Sequence, residues 1–137
     1  DQRQMLAHDV HLRDRGADKI ASLGWCFGGG KSLELSLSGD PLDATVIYYG
    51  SLTSDRGELG KIKWPVLGIF GEEDSSIPVE SVRSFEAALS DLGVSKEIYV
   101  YPGVGHAFAN PSNPDYAPKE TADAWQKTLT FLAASLR

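Results

Sequence analysis

The run Lys19-Ile20-Ala21-Ser22-Leu23-Gly24-Trp25-Cys26-Phe27-Gly28-Gly29 constrains the fold more than any other stretch of the chain. It reads as a short apolar strand, a Gly-x-Cys-x-Gly turn and the first turn of a helix. A strand that turns this sharply into a helix throws the central side chain outward at the carboxyl end of a sheet. The flanking glycines leave room for the backbone to come close. That central side chain is a thiol, a nucleophile once its proton is removed.

The rest of the chain repeats the strand-then-helix rhythm. Residues 2–15 are helix-like and polar, and Gly28 to Ser38 reads as a helix closed by Gly39-Asp40-Pro41. Ala44 to Tyr49 and Pro65 to Phe70 read as strands rich in β-branched and aromatic residues. Pro78 suits a helix first turn, and Val79, Val82, Phe85, Leu89 and Leu92 follow at helical spacing until Gly93. Glu97 to Tyr101 reads as the fourth strand, and Ala122, Trp125, Leu129, Leu132 and Leu136 mark a final amphipathic helix. Alternation of this kind predicts an α/β fold of about four parallel strands with flanking helices. The 137 residues suffice for one domain, 1–137, with one core.

Parallel sheets place their chemistry just beyond the carboxyl ends of the strands. Those positions are Cys26, the Gly50-Ser51 loop, Gly71-Glu72-Glu73-Asp74 and Gly103-Val104-Gly105-His106. A thiol, a carboxylate and an imidazole therefore share one rim, in the order nucleophile, acid, base. His106 can take the thiol proton and return it to a leaving group. Asp74 can accept a hydrogen bond from the other ring nitrogen, which fixes the tautomer. The N–H of Phe27, directly after the nucleophile, is placed to stabilise an oxyanion. Glu72 and Glu73 compete with Asp74 for the acid role, and Asp74 could instead cap the helix near Pro78.

Other classes are disfavoured. Net charge is −6, from 19 acidic and 13 basic residues, which argues against nucleic acid and anionic membrane as partners. No apolar run reaches membrane-spanning length. The single cysteine allows no internal disulfide and no cysteine-pair zinc site, which favours a reducing, cytoplasmic setting. Gly24 to Lys31-Ser32 superficially suggests a phosphate loop, but five residues separate Gly24 from Gly30-Lys31-Ser32 where the motif has four. His8 and His11 could share a helix face, yet two histidines without a third ligand seldom hold zinc. No metal and no cofactor are expected.

Gly24-Trp25-Cys26-Phe27-Gly28-Gly29, Tyr48-Tyr49-Gly50, Gly71-Glu72-Glu73-Asp74 with Ile77-Pro78, and Tyr101-Pro102-Gly103-Val104-Gly105-His106-Ala107-Phe108 together resemble the dienelactone hydrolase family of cysteine-dependent α/β-hydrolases. The resemblance implies a Cys26–His106–Asp74 triad and hydrolysis of small esters or lactones. It also implies a partial α/β-hydrolase fold lacking the N-terminal half of the sheet, because the family is roughly a hundred residues longer at that end. Position 1 is Asp rather than Met, in keeping with a piece of a longer product. Trp25, Tyr48, Tyr49, Phe108 and Asn110 fall at pocket positions. Asn110 lies where the family's lactone-carboxylate hydrolases have an arginine, so neutral short-chain esters are the expected substrates. With the preceding half absent, the Lys19–Trp25 strand would be a sheet edge, which predicts a homodimer or a complementing N-terminal half as partner. A non-catalytic half-fold that pairs with another chain is the alternative reading.

Overall fold

A computed structural model of the chain describes residues 18–39 and 41–137. The helix expected at 2–15, with His8 and His11, lies outside these residues. Four strands, β1 (Ala21–Trp25), β2 (Ala44–Tyr48), β3 (Val66–Gly71) and β4 (Lys96–Tyr101), form one parallel sheet in the order β1-β2-β3-β4. Between and after them run α1 (Phe27–Ser36), the short α2 (Arg56–Leu59), α3 (Val79–Asp91) and α4 (Pro118–Ser135). The α/β architecture of four parallel strands with flanking helices expected from the sequence is the one observed.

The two central strands are buried at every position. Alternation then divides their side chains between the two faces. Ile47, Val66 and Phe70 pack with Leu33 of α1, Leu59 of α2, and Val82, Phe85 and Leu89 of α3. Val46, Tyr48, Leu67 and Ile69 pack on the opposite face with Phe108 and with Ala124 and Phe131 of α4. Helices on both faces explain why β2 and β3 read as continuous apolar runs rather than alternating ones.

A buried hydroxyl cluster fixes α1 against the sheet. Ser32 Oγ lies 2.8 Å from Ser22 Oγ and 3.1 Å from the Val46 carbonyl oxygen. Ser36 and Thr45 hydroxyls meet at 2.5 Å, and the Trp64 indole N–H donates to Thr45 Oγ1 at 2.9 Å. Buried hydroxyls cost free energy unless paired, so this cluster also sets the rotation of α1 about its axis. That rotation determines where the preceding turn points.

Strand and helix bounds differ from expectation in ways the chemistry explains. α4 begins at Pro118, well before its first apolar residue, because proline at the first helical position needs no N–H partner. β2 stops at Tyr48, because Tyr49 turns to φ 36°. α2 went unread in the sequence; Asp55 caps it by accepting from the Gly57 and Glu58 amides. No helix among the described residues is long and apolar enough to cross a membrane.

Candidate active site

Cys26 stands between β1 and α1 with φ 53° and ψ −120°. A side chain with positive φ is strained by roughly 1–3 kcal/mol, so the surroundings must hold it there. They do so through the backbone: the Cys26 N–H donates to the Tyr48 carbonyl at 3.0 Å, and its carbonyl accepts from Gly29 and Gly30 at 2.9 and 3.2 Å. The turn is tight enough that a Cβ on Gly24 would sit 2.0 Å from the Gly28 carbonyl oxygen. Glycine is thus required one residue before Trp25 by sheer proximity. The Phe27 N–H, first in α1, makes no hydrogen bond among the described residues.

Asp74 lies in the loop after β3 and is 4% exposed. Its Oδ1 accepts from the Ser76 and Ile77 amides at 2.7 and 2.9 Å. Its Oδ2 lies 2.8 Å from Nδ1 of His106, which follows β4. Both carboxylate oxygens are therefore used, and the carboxylate cannot swing without losing amide partners. Asp74 does not cap α3, whose N-cap is Pro78 with no side-chain hydrogen bond; its Oδ1 closes the turn ahead of that helix while its Oδ2 meets the imidazole. The backbones of the two loops interlock as well: Glu72 N–H donates to the Tyr101 carbonyl and Glu73 N–H to the Val104 carbonyl, each at 2.9 Å. A Cβ on Gly71 would meet the Val104 carbonyl oxygen at 2.5 Å, so this approach also demands glycine. The Glu72 and Glu73 side chains are solvent-facing.

Beneath this rim runs a chain of rings. Trp25 lies 5.2 Å from Tyr48, Tyr48 5.9 Å from Tyr49, and Tyr49 5.4 Å from the His106 imidazole and 5.6 Å from Phe108. Tyr48, Tyr49 and Phe108 are buried, so they form a floor rather than an open wall. The Tyr48 hydroxyl pairs with Thr128 at 2.7 Å. Burial pushes the Tyr49 phenol well above its ordinary pKa, and the Cys26 charge adds to the push. Trp25 and Phe27 are open to solvent, at 42% and 79%. The Asn110 side chain points back into its own loop, accepting from the Ser112 amide at 2.9 Å.

Burial also raises the Cys26 thiol, with the Asp74 carboxylate a second cause in the same direction. Among the described residues its sulfur makes no hydrogen bond. Both causes act against the thiolate. Sequence reasoning missed Asn113, which donates from Nδ2 to the His106 carbonyl at 2.9 Å and the Ala107 carbonyl at 3.1 Å. A surface-loop Asn among Pro, Ser and Asp carries no pattern that would have singled it out. Among the described residues no cluster of three or more His, Cys, Asp and Glu side chains could hold a metal ion.

Comparison with known proteins gives a consistent picture. The model of the dienelactone hydrolase family matches residues 1–136. The chain is 37% identical over 133 residues to an Escherichia coli protein named "Putative carboxymethylenebutenolidase", covering 90% of this chain and 46% of that protein. A Saccharolobus solfataricus protein of the same name is 33% identical over 122 residues, covering 89% of this chain and 47% of its own length. The solved structure of a "Putative Dienelactone Hydrolase" from Klebsiella pneumoniae superposes with a TM-score of 0.83 at 29% identity, covering 93% of this chain and 58% of that one. The chain thus spans about half the length of the curated relatives it matches.

Proposed function

Because the chain belongs to the dienelactone hydrolase family, we propose that it carries the nucleophile, base and acid of a hydrolase of small esters or lactones: Cys26, His106 and Asp74. The observation that carries this reading is the 2.8 Å bond from His106 Nδ1 to a buried, doubly capped Asp74, on the rim where Cys26 stands. With Nδ1 committed to Asp74, Nε2 is the nitrogen left to exchange a proton with the thiol.

The reaction runs in two halves. Cys26 Sγ attacks the acyl carbon as its proton passes to His106 Nε2, and the carbonyl electrons move onto oxygen. The free Phe27 N–H stabilises that oxyanion. Collapse breaks the acyl C–O bond, the leaving alkoxide takes the proton from His106, and a thioester remains. Water then attacks as His106 removes its proton, and the thiol is restored as the acid leaves. In a lactone the leaving alkoxide stays tethered to the same molecule. Trp25 offers the exposed contact surface for substrate, over the Tyr48, Tyr49 and Phe108 floor, while Asn110 shapes the adjoining loop. Asn110 supplies no cation, which favours uncharged acyl groups. The lone thiol suits a reducing compartment such as the cytoplasm.

Replacing Cys26 by Ala should lower p-nitrophenyl acetate hydrolysis by several orders of magnitude. Cys26→Ser should also be poor, since a serine hydroxyl needs much stronger activation than a thiol. Full activity in the alanine variant would refute the assignment.

A second proposal concerns assembly. Among the described residues β1 pairs only with β2, and Trp25, the following Phe27 and Trp125, 6.5 Å from Trp25, are exposed. Native proteins seldom leave such an edge and patch open. A second copy of the chain, or the half that the longer relatives possess, would cover it with an interface above roughly 1,000 Å². Such a chain could serve as a non-catalytic pairing half if Cys26 proves inert. Light scattering at micromolar concentration should find a dimer or a complex; a lone, well-folded monomer would contradict this.

A further inference from the structure

We propose that Asn113 is a positioning residue that holds the His106 imidazole on Asp74, an inference that rests on the hydrolase reading only for its effect on rate. Asp74 is fixed independently of His106, by the Ser76 and Ile77 amides. Among the described residues the His106 side chain has no comparable pair of backbone anchors. Its ring is partly open to solvent and is held by Asp74 on one nitrogen and by ring contact with Tyr49. Its orientation therefore depends on where the backbone carries its Cα.

That backbone is unusual. Ala107, the next residue, has φ 59°, and the carbonyl groups of His106 and Ala107 both turn into the loop that follows. The Ala107 carbonyl accepts from the Asn110 N–H at 3.0 Å, so the His106 carbonyl is the one that depends on a side-chain donor. A primary amide nitrogen carries two hydrogens, and Asn113 Nδ2 lies 2.9 Å from one oxygen and 3.1 Å from the other. The opposite end of the amide accepts from the Asp115 N–H at 3.1 Å, which fixes which end is nitrogen. The Asn113 backbone is tied too: its N–H donates to Asn110 and its carbonyl accepts from Tyr116, at 2.9 and 3.0 Å. The Ala117 N–H then returns to the Phe108 carbonyl at 2.9 Å, closing the loop against the strand of chain that bears His106. Asn113 is thus the one side chain among the described residues that links this closed loop to the His106 carbonyl.

Without the amide, the partly buried His106 carbonyl loses its partner, while the Ala107 carbonyl keeps the Asn110 N–H, and the peptide between His106 and Ala107 is freed to rotate. Asp74 would stay in place, so the His106–Asp74 bond would loosen from the imidazole side. A misplacement of about 1 Å in a proton-transfer group can cost on the order of a hundredfold in rate.

Two variants in the complete natural chain test this. Asn113→Ala removes the amide. Asn113→Asp keeps the shape and the acceptor for the Asp115 N–H but offers the carbonyls no donor at neutral pH. Both should lower kcat for a neutral ester roughly ten- to a hundredfold with KM within about twofold. In both, the downfield proton resonance of His106 Nδ1–H should broaden through exchange with water. That resonance is read without substrate, so it stays informative even if the unaltered chain proves inactive, an outcome that would sink the hydrolase reading alone. An unchanged Nδ1–H resonance in either folded variant overturns the proposal, whether or not kcat falls. Failure of both variants to fold would overturn it too, because Asn113 would then be a folding residue and not a positioning one.

Discussion

The acid–base corner and the nucleophile corner of the rim are built to different standards of completeness. Around Asp74 and His106 both carboxylate oxygens, the imidazole Nδ1 and the His106 carbonyl have partners within the chain, and the two loops bearing them share backbone hydrogen bonds. Around Cys26 the backbone N–H and carbonyl are held, yet the flanking side chains Trp25 and Phe27 face solvent and, among the described residues, the thiol has no hydrogen bond. One corner draws its hydrogen bonds from residues 71–117, with the Tyr49 ring packed against His106. The other is a rigid turn with an open side. Preorganisation of the base and exposure of the nucleophile are separable properties, set by different stretches of chain.

The largest effect should come from breaking the finished corner. Asp74→Asn keeps the size of the side chain but loses the charge that stabilises an imidazolium, and its amide can present the wrong partner to Nδ1. Ester hydrolysis should fall by about a thousand- to ten-thousandfold. A loss below tenfold would mean that the Asp74–His106 pairing is structural only.

A smaller effect is expected from breaking the turn that carries Cys26. Gly24→Ala forces a Cβ to within 2.0 Å of the Gly28 carbonyl oxygen, a backbone atom that cannot simply rotate away. Destabilisation of about 3 kcal/mol should appear in denaturant melts. Near-neutral stability would show that the turn is softer than the acid–base corner and would sharpen the contrast.

The smallest effect concerns the resting thiol. Burial and the Asp74 charge both disfavour the thiolate, so Cys26 should titrate above an ordinary thiol. The rate of alkylation by iodoacetamide should therefore rise with pH later in the native chain than in the denatured one. An inflection earlier than in the denatured chain would reveal a preformed thiolate–imidazolium pair and erase the difference between the corners. The raised value also means that a native advantage in thiol protonation is lost as pH climbs through the folded titration, after the unfolded thiol has already ionised.

The parts of this molecule legible in the sequence are those that rest on local pattern. Val79, Val82, Phe85 and Leu89 announce α3 through spacing alone, and Gly24, Gly28 and the strand before them announce the turn at Cys26. The parts that were not legible depend on distant partners. The depth at which Tyr48 and Tyr49 are buried is one such part, Tyr48 bonding to Thr128 of α4, eighty positions away in the chain. Asn113 matters through two carbonyls whose direction follows from the positive φ of Ala107, which no alanine advertises. The four residues of α2 lack an apolar period and depend on the Asp55 cap.

Strand order equals chain order in this sheet, and that has a temporal meaning. Each strand finds its neighbour in the segment made just before it, so a chain growing from its N-terminus can add to the sheet one strand at a time. The turn bearing Cys26 is braced once Tyr48 has emerged, Asp74 is capped as soon as Ile77 follows, and His106 is seated only after Asn113 has closed its loop. On the proposed chemistry the growing chain thus carries the Cys26 sulfur past β2, β3 and β4 with nothing yet able to take its proton, and of the three groups the base is seated last.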